Sequence, residues 1–117
     1  MKQRLLVIDD EKPILEAIKT ILEDMGYEVN TFSDSTEGEK AALSADYDLI
    51  LIDMRMPVKN GAEVSKTILE NKPDAKIMII TAFPGDKIVR EALDAGAKGV
   101  LKKPFEIGKI LEFLRGQ

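Results

Sequence analysis

The sequence predicts an α/β fold: a five-stranded parallel sheet in strand order 2-1-3-4-5, doubly wound as (βα)5 with helices on both faces. Three observations predict it. The all-apolar runs Leu5-Leu6-Val7-Ile8, Leu49-Ile50-Leu51-Ile52 and Ile77-Met78-Ile79-Ile80 read as short strands buried on both faces. Amphipathic stretches of helical period lie between them. Strands and helices alternate strictly, which implies parallel pairing through right-handed crossovers.

The first strand ends in Asp9 and Asp10. After Pro13, residues Ile14, Leu15, Ile18, Ile21, Leu22 and Met25 are spaced as one face of a helix, with Pro13 in its first turn and Gly26 just past its end. Tyr27 to Phe32 is a second strand, and Glu28 and Asn30 make it more polar than the others. That places it at a sheet edge, as order 2-1-3-4-5 requires. Thr36 to Leu43 is a short helix of low apolar content, and Asp46-Tyr47-Asp48 leads into the third strand. This strand runs into Asp53; Pro57 then stops regular structure and Asn60-Gly61 supplies a turn. Ala62 to Leu69 is helical with Val64, Ile68 and Leu69 inward, and Pro73-Asp74 turns into the fourth strand, which ends at Thr81-Ala82. Asp86 to Ala95 is a helix with Ile88, Val89, Ala92 and Leu93 on its face, closed by Gly96. Gly99-Val100-Leu101 is the last strand, ending at Lys102-Lys103-Pro104, and Phe105 to Leu114 is the final helix, bearing Ile107, Ile110, Leu111 and Leu114.

At 117 residues, 44% apolar and 32% charged, the chain reads as one globular domain, residues 1–117, without linker or repeat. It has no cysteine and no histidine, which removes disulfides, thiolate nucleophiles and the commonest general base and transition-metal ligand. Any metal must be a hard cation bound by oxygen, Mg²⁺ or Mn²⁺. A net charge of −4 argues against direct nucleic-acid binding. No stretch is long enough to span a membrane and no signal peptide opens the chain, so the expected location is cytoplasmic.

In a parallel sheet all carboxyl ends share one rim, where open α/β sheets place their ligands. Here that rim carries Asp9 and Asp10 from the first strand, Asp53 from the third, Thr81 from the fourth and Lys103 from the fifth. Each has a bland reading alone: Asp53 as a strand-end turn former, Asp9-Asp10 as acids at a helix N-terminus, Thr81 as a turn residue, Lys103 as a solvated cation. Together, three carboxylates on the two central strands repel one another without a cation and suit Mg²⁺. Asp53 is then a candidate nucleophile toward phosphorus, and Mg²⁺, Lys103 and the Thr81 hydroxyl can neutralise or bind the phosphoryl oxygens.

The segments Val7-Ile8-Asp9-Asp10-Glu11, Ile52-Asp53-Met54-Arg55-Met56-Pro57 with Gly61, Thr81-Ala82, and Leu101-Lys102-Lys103-Pro104-Phe105 resemble a response-regulator receiver domain over the whole chain. The resemblance implies that Asp53 is the phosphoacceptor, that Thr81 is the switch hydroxyl and that Lys103 is the phosphoryl counter-ion. It implies Mg²⁺ ligation by Asp10, Asp53 and the Arg55 backbone carbonyl, with Asp9 acting through water. The Lys103–Pro104 bond is expected to be cis. An aromatic residue usual three positions before the lysine is replaced by Val100. Arg55 and Phe83, each two residues past Asp53 and Thr81, are expected to shield an acyl phosphate and slow its hydrolysis. The implied partner is a sensor histidine kinase or histidine phosphotransfer protein. The apolar and proline residues rimming the site, Ile14, Pro57, Pro104 and Phe105, are candidate contacts for it, with Ile14 and Phe105 equally readable as core.

With no effector motif after Leu114, the sequence reads as a stand-alone phosphorelay module. The alternative is a receiver cut from a larger DNA-binding transcriptional regulator, although Lys98-Gly99 is atypical there. An aspartyl-phosphate hydrolase is the distant alternative, because Arg55 stands where such enzymes carry a second aspartate. A flavin site does not fit, because acids occupy the first loop, where a phosphate needs backbone donors.

Overall fold

Apolar runs buried on both faces need a cover on each side, and this chain supplies two. The computed structural model describes residues 2–103 and 106–116. Strands β1 (Arg4–Ile8), β2 (Glu28–Phe32), β3 (Leu49–Asp53), β4 (Ile77–Thr81) and β5 (Gly99–Lys102) alternate with helices α1 (Lys12–Asp24), α2 (Ser35–Ser44), α3 (Gly61–Asn71), α4 (Lys87–Ala95) and α5 (Ile107–Arg115). The strands pair in parallel in the order β2-β1-β3-β4-β5, as the alternation predicts, with the polar β2 at an edge.

Successive strand residues point to opposite faces, so each central strand feeds two cores. Leu6, Ile8, Ile50, Ile52, Ile77 and Ile79 pack with Ala42 of α2, Val64 and Ile68 of α3, and Val89 and Ala92 of α4. Leu5, Val7, Leu49, Leu51, Met78 and Ile80 pack with Leu15, Ile18 and Leu22 of α1 and with Ile110 and Leu114 of α5. Fully burying one such side chain contributes about 1.5–3 kcal/mol, so these strands have no stable alternative placement.

The predicted face of α1 is too wide. Leu15, Ile18 and Leu22 are buried, but Ile21 is 44% and Met25 50% exposed. One residue advances a helix by about 100°, so Ile21 and Met25 sit on the flank while the sheet takes only the narrower row.

Helix starts differ from the apolar pattern by a residue or two because capping side chains set them. Asp34 accepts from the Glu37 N–H, which starts α2 at Ser35. Asn60 and Glu63 form a reciprocal capping box, at 2.9 and 3.0 Å, so α3 begins at Gly61. Asp86 lies outside α4 as its cap, accepting from the Ile88 N–H at 3.1 Å. The last helix begins at Ile107, later than predicted. Pro104 and Phe105 lie outside the described residues, and with them the expected cis bond and their expected partner contacts.

The connection from β3 to α3 is tightly built. A Cβ on Gly61 would stand 2.5 Å from the Asp53 carbonyl oxygen, so only glycine lets α3 start against the strand that carries Asp53. Nearby, Val58 has φ +70°, is 89% exposed, and is spanned by a Lys59 N–H to Pro57 O bond of 2.9 Å. A β-branched residue is disfavoured in this left-handed region by about 1–2 kcal/mol, and no burial offsets that here. Val58→Asn, a residue that tolerates this conformation, is expected to raise unfolding stability by about 0.5–1 kcal/mol in urea titrations. A neutral or destabilising result would show that the loop is not strained at Val58.

Candidate functional site at the carboxyl rim of the sheet

The parallel register brings the predicted site residues together. Ile8 pairs with Ile52, so the positions that follow them, Asp9 and Asp53, stand side by side. Asp53 pairs with Ile80, and Thr81 with Lys102. Backbone bonds continue the ladder past the strand ends: the Asp9 N–H donates to Phe32 O at 3.1 Å, and the Lys103 N–H to Thr81 O at 2.8 Å. The site is thus anchored on the ends of paired strands rather than on free loops.

Asp9, Asp53 and Thr81 are buried, whereas Asp10 and Glu11 face solvent. Carboxylate oxygens of Asp9, Asp10, Glu11 and Asp53 all lie within 4.8 Å of one another. Lys103 Nζ is 2.8 Å from Glu11 Oε1, 3.2 Å from Asp9 Oδ2 and 3.4 Å from Asp53 Oδ1. Asp9 Oδ1 accepts from the Glu11 N–H at 2.9 Å. Its other oxygen, Oδ2, is buried with no well-aimed hydrogen bond among the described residues; its approach to Lys103 is an ion pair only. A cleft of about 340 Å³ opens over this cluster, lined by Asp10, Glu11, Asp53, Arg55, Thr81, Ala82, Phe83 and Lys103.

The electrostatics follow from burial. Burial raises the Asp9 carboxyl, and the Glu11 N–H and the Lys103 charge only partly offset it. Asp53 is pushed up to about 7, first by burial, then by the Asp9 and Asp10 charges, against the pull of Lys103. Burial works against the Lys103 ammonium, but the Glu11 hydrogen bond and the charges of Asp53 and Asp9 outweigh it and hold the group above its usual value. One lysine is too little charge for four carboxylates, which is the condition that favours a bound cation. The donors are all oxygen, and the buried Asp9 Oδ2, held only by its ion pair with Lys103, keeps lone-pair capacity to spare. These features fit a hard divalent ion.

Thr81 Oγ1 accepts from the Phe83 N–H at 3.0 Å. A hydroxyl that accepts one bond still has its own proton to give. Arg55 pairs with Asp86 and lies over the Phe83 ring at 5.8 Å. Sequence reasoning missed two participants. Glu11 had a legible signal, as the third acid of Asp9-Asp10-Glu11. Asp86 was legible as the start of a helix, but not as the partner of a residue 31 positions earlier. Val100, where an aromatic is usual, is half-buried against the core.

The model of the response regulator receiver domain matches residues 5–115. The chain is 40% identical over 112 residues to protein CcdB of Bacillus subtilis strain 168, covering 93% of this chain and 92% of that protein. It is 38% identical over 112 residues to the transcriptional regulatory protein DltR of Streptococcus agalactiae serotype III, covering 96% of this chain and 50% of that protein. Here the chain spans about half of its relative. Among solved structures, the receiver domain of a sensor histidine kinase from Pseudomonas aeruginosa, which has a magnesium ion coordinated in its active-site cleft, matches with TM-score 0.87 and 28% identity, over 99% of this chain and 97% of that one.

A pH dependence follows for the cation-free protein. The folded Asp53 pKa of about 7 lies above its ordinary value of 3.8, so between these two values the folded chain holds a proton that the unfolded chain releases. The contribution of this group to stability is therefore complete below about pH 4 and is lost as pH rises to about 7. Asp53→Asn lacks that loss. In urea unfolding with a chelator, its advantage over wild type is expected to grow from pH 5 to pH 8 by on the order of 1 kcal/mol, a value discounted for solvent screening. The same difference at both pH values would mean that the Asp53 carboxylate is not destabilised by its setting.

Proposed function

The chain belongs to the response regulator receiver family, and on that premise we propose that Asp53 is its phosphoacceptor. Receiver domains are phosphoacceptor modules of two-component signalling, phosphorylated by histidine kinases or histidine phosphotransfer proteins. The observation that carries the assignment is the setting of Asp53: a buried carboxylate at the end of a central strand, reachable through the cleft and 3.4 Å from Lys103. An Asp53 oxygen attacks phosphorus, the bond from phosphorus to the donor nitrogen breaks, and an acyl phosphate forms. Such transfer needs positioning and charge neutralisation more than it needs further reactive groups. Lys103 sits within reach to neutralise one phosphoryl oxygen, and the Thr81 hydroxyl donates to another.

Asp10, Asp53 and the Arg55 backbone carbonyl would hold Mg²⁺ or Mn²⁺, with Asp9 acting through water. Bound there, the ion supplies positive charge against the carboxylates and the phosphoryl oxygens. The all-oxygen donor set supports this, as does the magnesium in the cleft of the Pseudomonas aeruginosa relative. The protein acts as a signalling module rather than a hydrolase, because Arg55 stands where a second aspartate would serve as acid and base. A stand-alone arrangement is favoured by the match to nearly all of CcdB; the half-length match to DltR supports the second reading, a receiver within a longer regulator. No helix among the described residues is long and apolar enough to cross a membrane, and the proposed location is cytoplasmic, with a sensor histidine kinase or histidine phosphotransfer protein as partner.

Thermal melts test the site directly. A ligand at about a hundred times its dissociation constant adds roughly 2.7 kcal/mol, on the order of 10 °C here. Mg²⁺ is expected to raise the midpoint and beryllofluoride to raise it further, and Asp53→Asn is expected to abolish the second step and to weaken the first, because Asp53 is also a metal ligand. No response of the wild type to either would remove the phosphoacceptor assignment. The shielding role of Arg55 and Phe83 has its own test: replacing both with alanine is expected to shorten the acyl-phosphate lifetime several-fold in a phosphate-release time course. An unchanged lifetime would leave both residues without that role.

A further inference from the structure

The Arg55 side chain is not free. Its guanidinium is paired with Asp86 and lies over the Phe83 ring, 5.8 Å from the centroid. Asp86 is a fixed anchor: its side chain is only 15% exposed, and its other oxygen accepts the Ile88 N–H at 3.1 Å at the start of α4. Phe83 is 62% exposed, so core packing does not hold its ring. Its backbone is held at both ends, by the Phe83 N–H to Thr81 Oγ1 at 3.0 Å and by the Asp86 N–H to Phe83 O at 3.1 Å. Arg55, Ala82 and Phe83 form one wall of the cleft over Asp53. The ion pair therefore ties the end of β3 to the first turn of α4 across that wall.

We propose that Asp86 is a positioning residue for the chemistry at Asp53: it holds the Arg55 guanidinium over Phe83, keeps this wall of the cleft closed, and so sets the lifetime of the acyl phosphate. The inference rests on the phosphoacceptor reading of Asp53. Asp86 touches no reacting atom. A long, mostly exposed arginine side chain has many rotamers, and a carboxylate fixed by a helix cap selects one of them, with the ring face adding a cation–π contact. The step this wall opposes is hydrolysis. Water oxygen attacks phosphorus, the bond from phosphorus to the Asp53 oxygen breaks, and inorganic phosphate leaves with the carboxylate restored and a proton released to solvent.

Asp86→Asn and Asp86→Ser remove the charge but keep a cap oxygen for the Ile88 N–H, so α4 retains its start. Wild type and both variants would be phosphorylated with phosphoramidate and Mg²⁺, and acyl-phosphate decay followed by intact mass, at low and at high NaCl. An exposed ion pair biases its geometry modestly, so both variants are expected to decay about two- to fivefold faster than wild type at low salt. High salt screens the pair, so it is expected to speed decay of the wild type and to leave the variants unchanged. A merely structural role for Asp86 would not produce that difference in salt response. Variants that decay at or below the wild-type rate, or that share its salt response, would overturn the inference while leaving the phosphoacceptor reading intact. A wild type that takes up no phosphoryl group would overturn both.

Discussion

Among the described residues, Lys103 Nζ is the one cation placed inside a ring of three carboxylates, 2.8 Å from Glu11, 3.2 Å from Asp9 and 3.4 Å from Asp53. The rest of the structure serves this arrangement. Leaving buried like charges unpaired is costly, so the lysine has to arrive from a strand whose end is fixed, and its backbone N–H is bonded to the Thr81 carbonyl. The carboxylates have to be just as fixed, or they would turn to water. Asp9 and Asp53 follow strands with no exposed residue between Leu5 and Ile8 or between Leu49 and Ile52. The stability of the sheet is what permits an unfavourable cluster at its rim. The cluster in turn is deficient in positive charge, with one lysine against four carboxylates, which is the condition that favours a bound cation.

The sheet was legible because burial on both faces leaves no ambiguity of period. Leu49-Ile50-Leu51-Ile52 has no polar residue to suggest a helix stripe, and the polar insertions Glu28 and Asn30 point to the edge where β2 lies. Topology then places every strand's carboxyl end on one rim, so Asp9, Asp10, Asp53, Thr81 and Lys103 could be gathered from sequence without any distance. Less legible were the limits of the helices, because a cap is a competition between a side chain and the next turn. Asp86 could open α4 or stand before it; the bond to the Ile88 N–H decides for the latter. The surplus apolar flank of α1, Ile21 and Met25, was likewise invisible, since helical period gives the direction of a face but not how much of it the sheet is wide enough to cover.

Side-chain partners were the other loss. Glu11 with Lys103, and Arg55 with Asp86, join residues 92 and 31 positions apart. Topology brings their backbones near, but which of several acids a cation takes depends on reach and rotamer. A charge pattern that reads as solvated in sequence can then turn out to be directional in space. Glu11 is the instructive case: it is exposed, yet it makes the closest contact to Lys103, because the buried acids are held back by their own strands while a loop residue can approach.

The rim is joined to the first turn of α4 by contacts along one loop. Val100 offers no ring behind Thr81; it is an aliphatic side chain packed into the core beside β4. The contacts present run along the loop instead. The Thr81 hydroxyl oxygen holds the Phe83 N–H, so any turn of that hydroxyl bears first on the Phe83 backbone. Phe83 carries Arg55 on its ring, and Arg55 is paired to the residue that caps α4. A hydrogen bond, a cation–π contact and an ion pair are each weak singly, and all three are near solvent. Such contacts are easily rearranged, and they lie at the surface beside the cleft over Asp53.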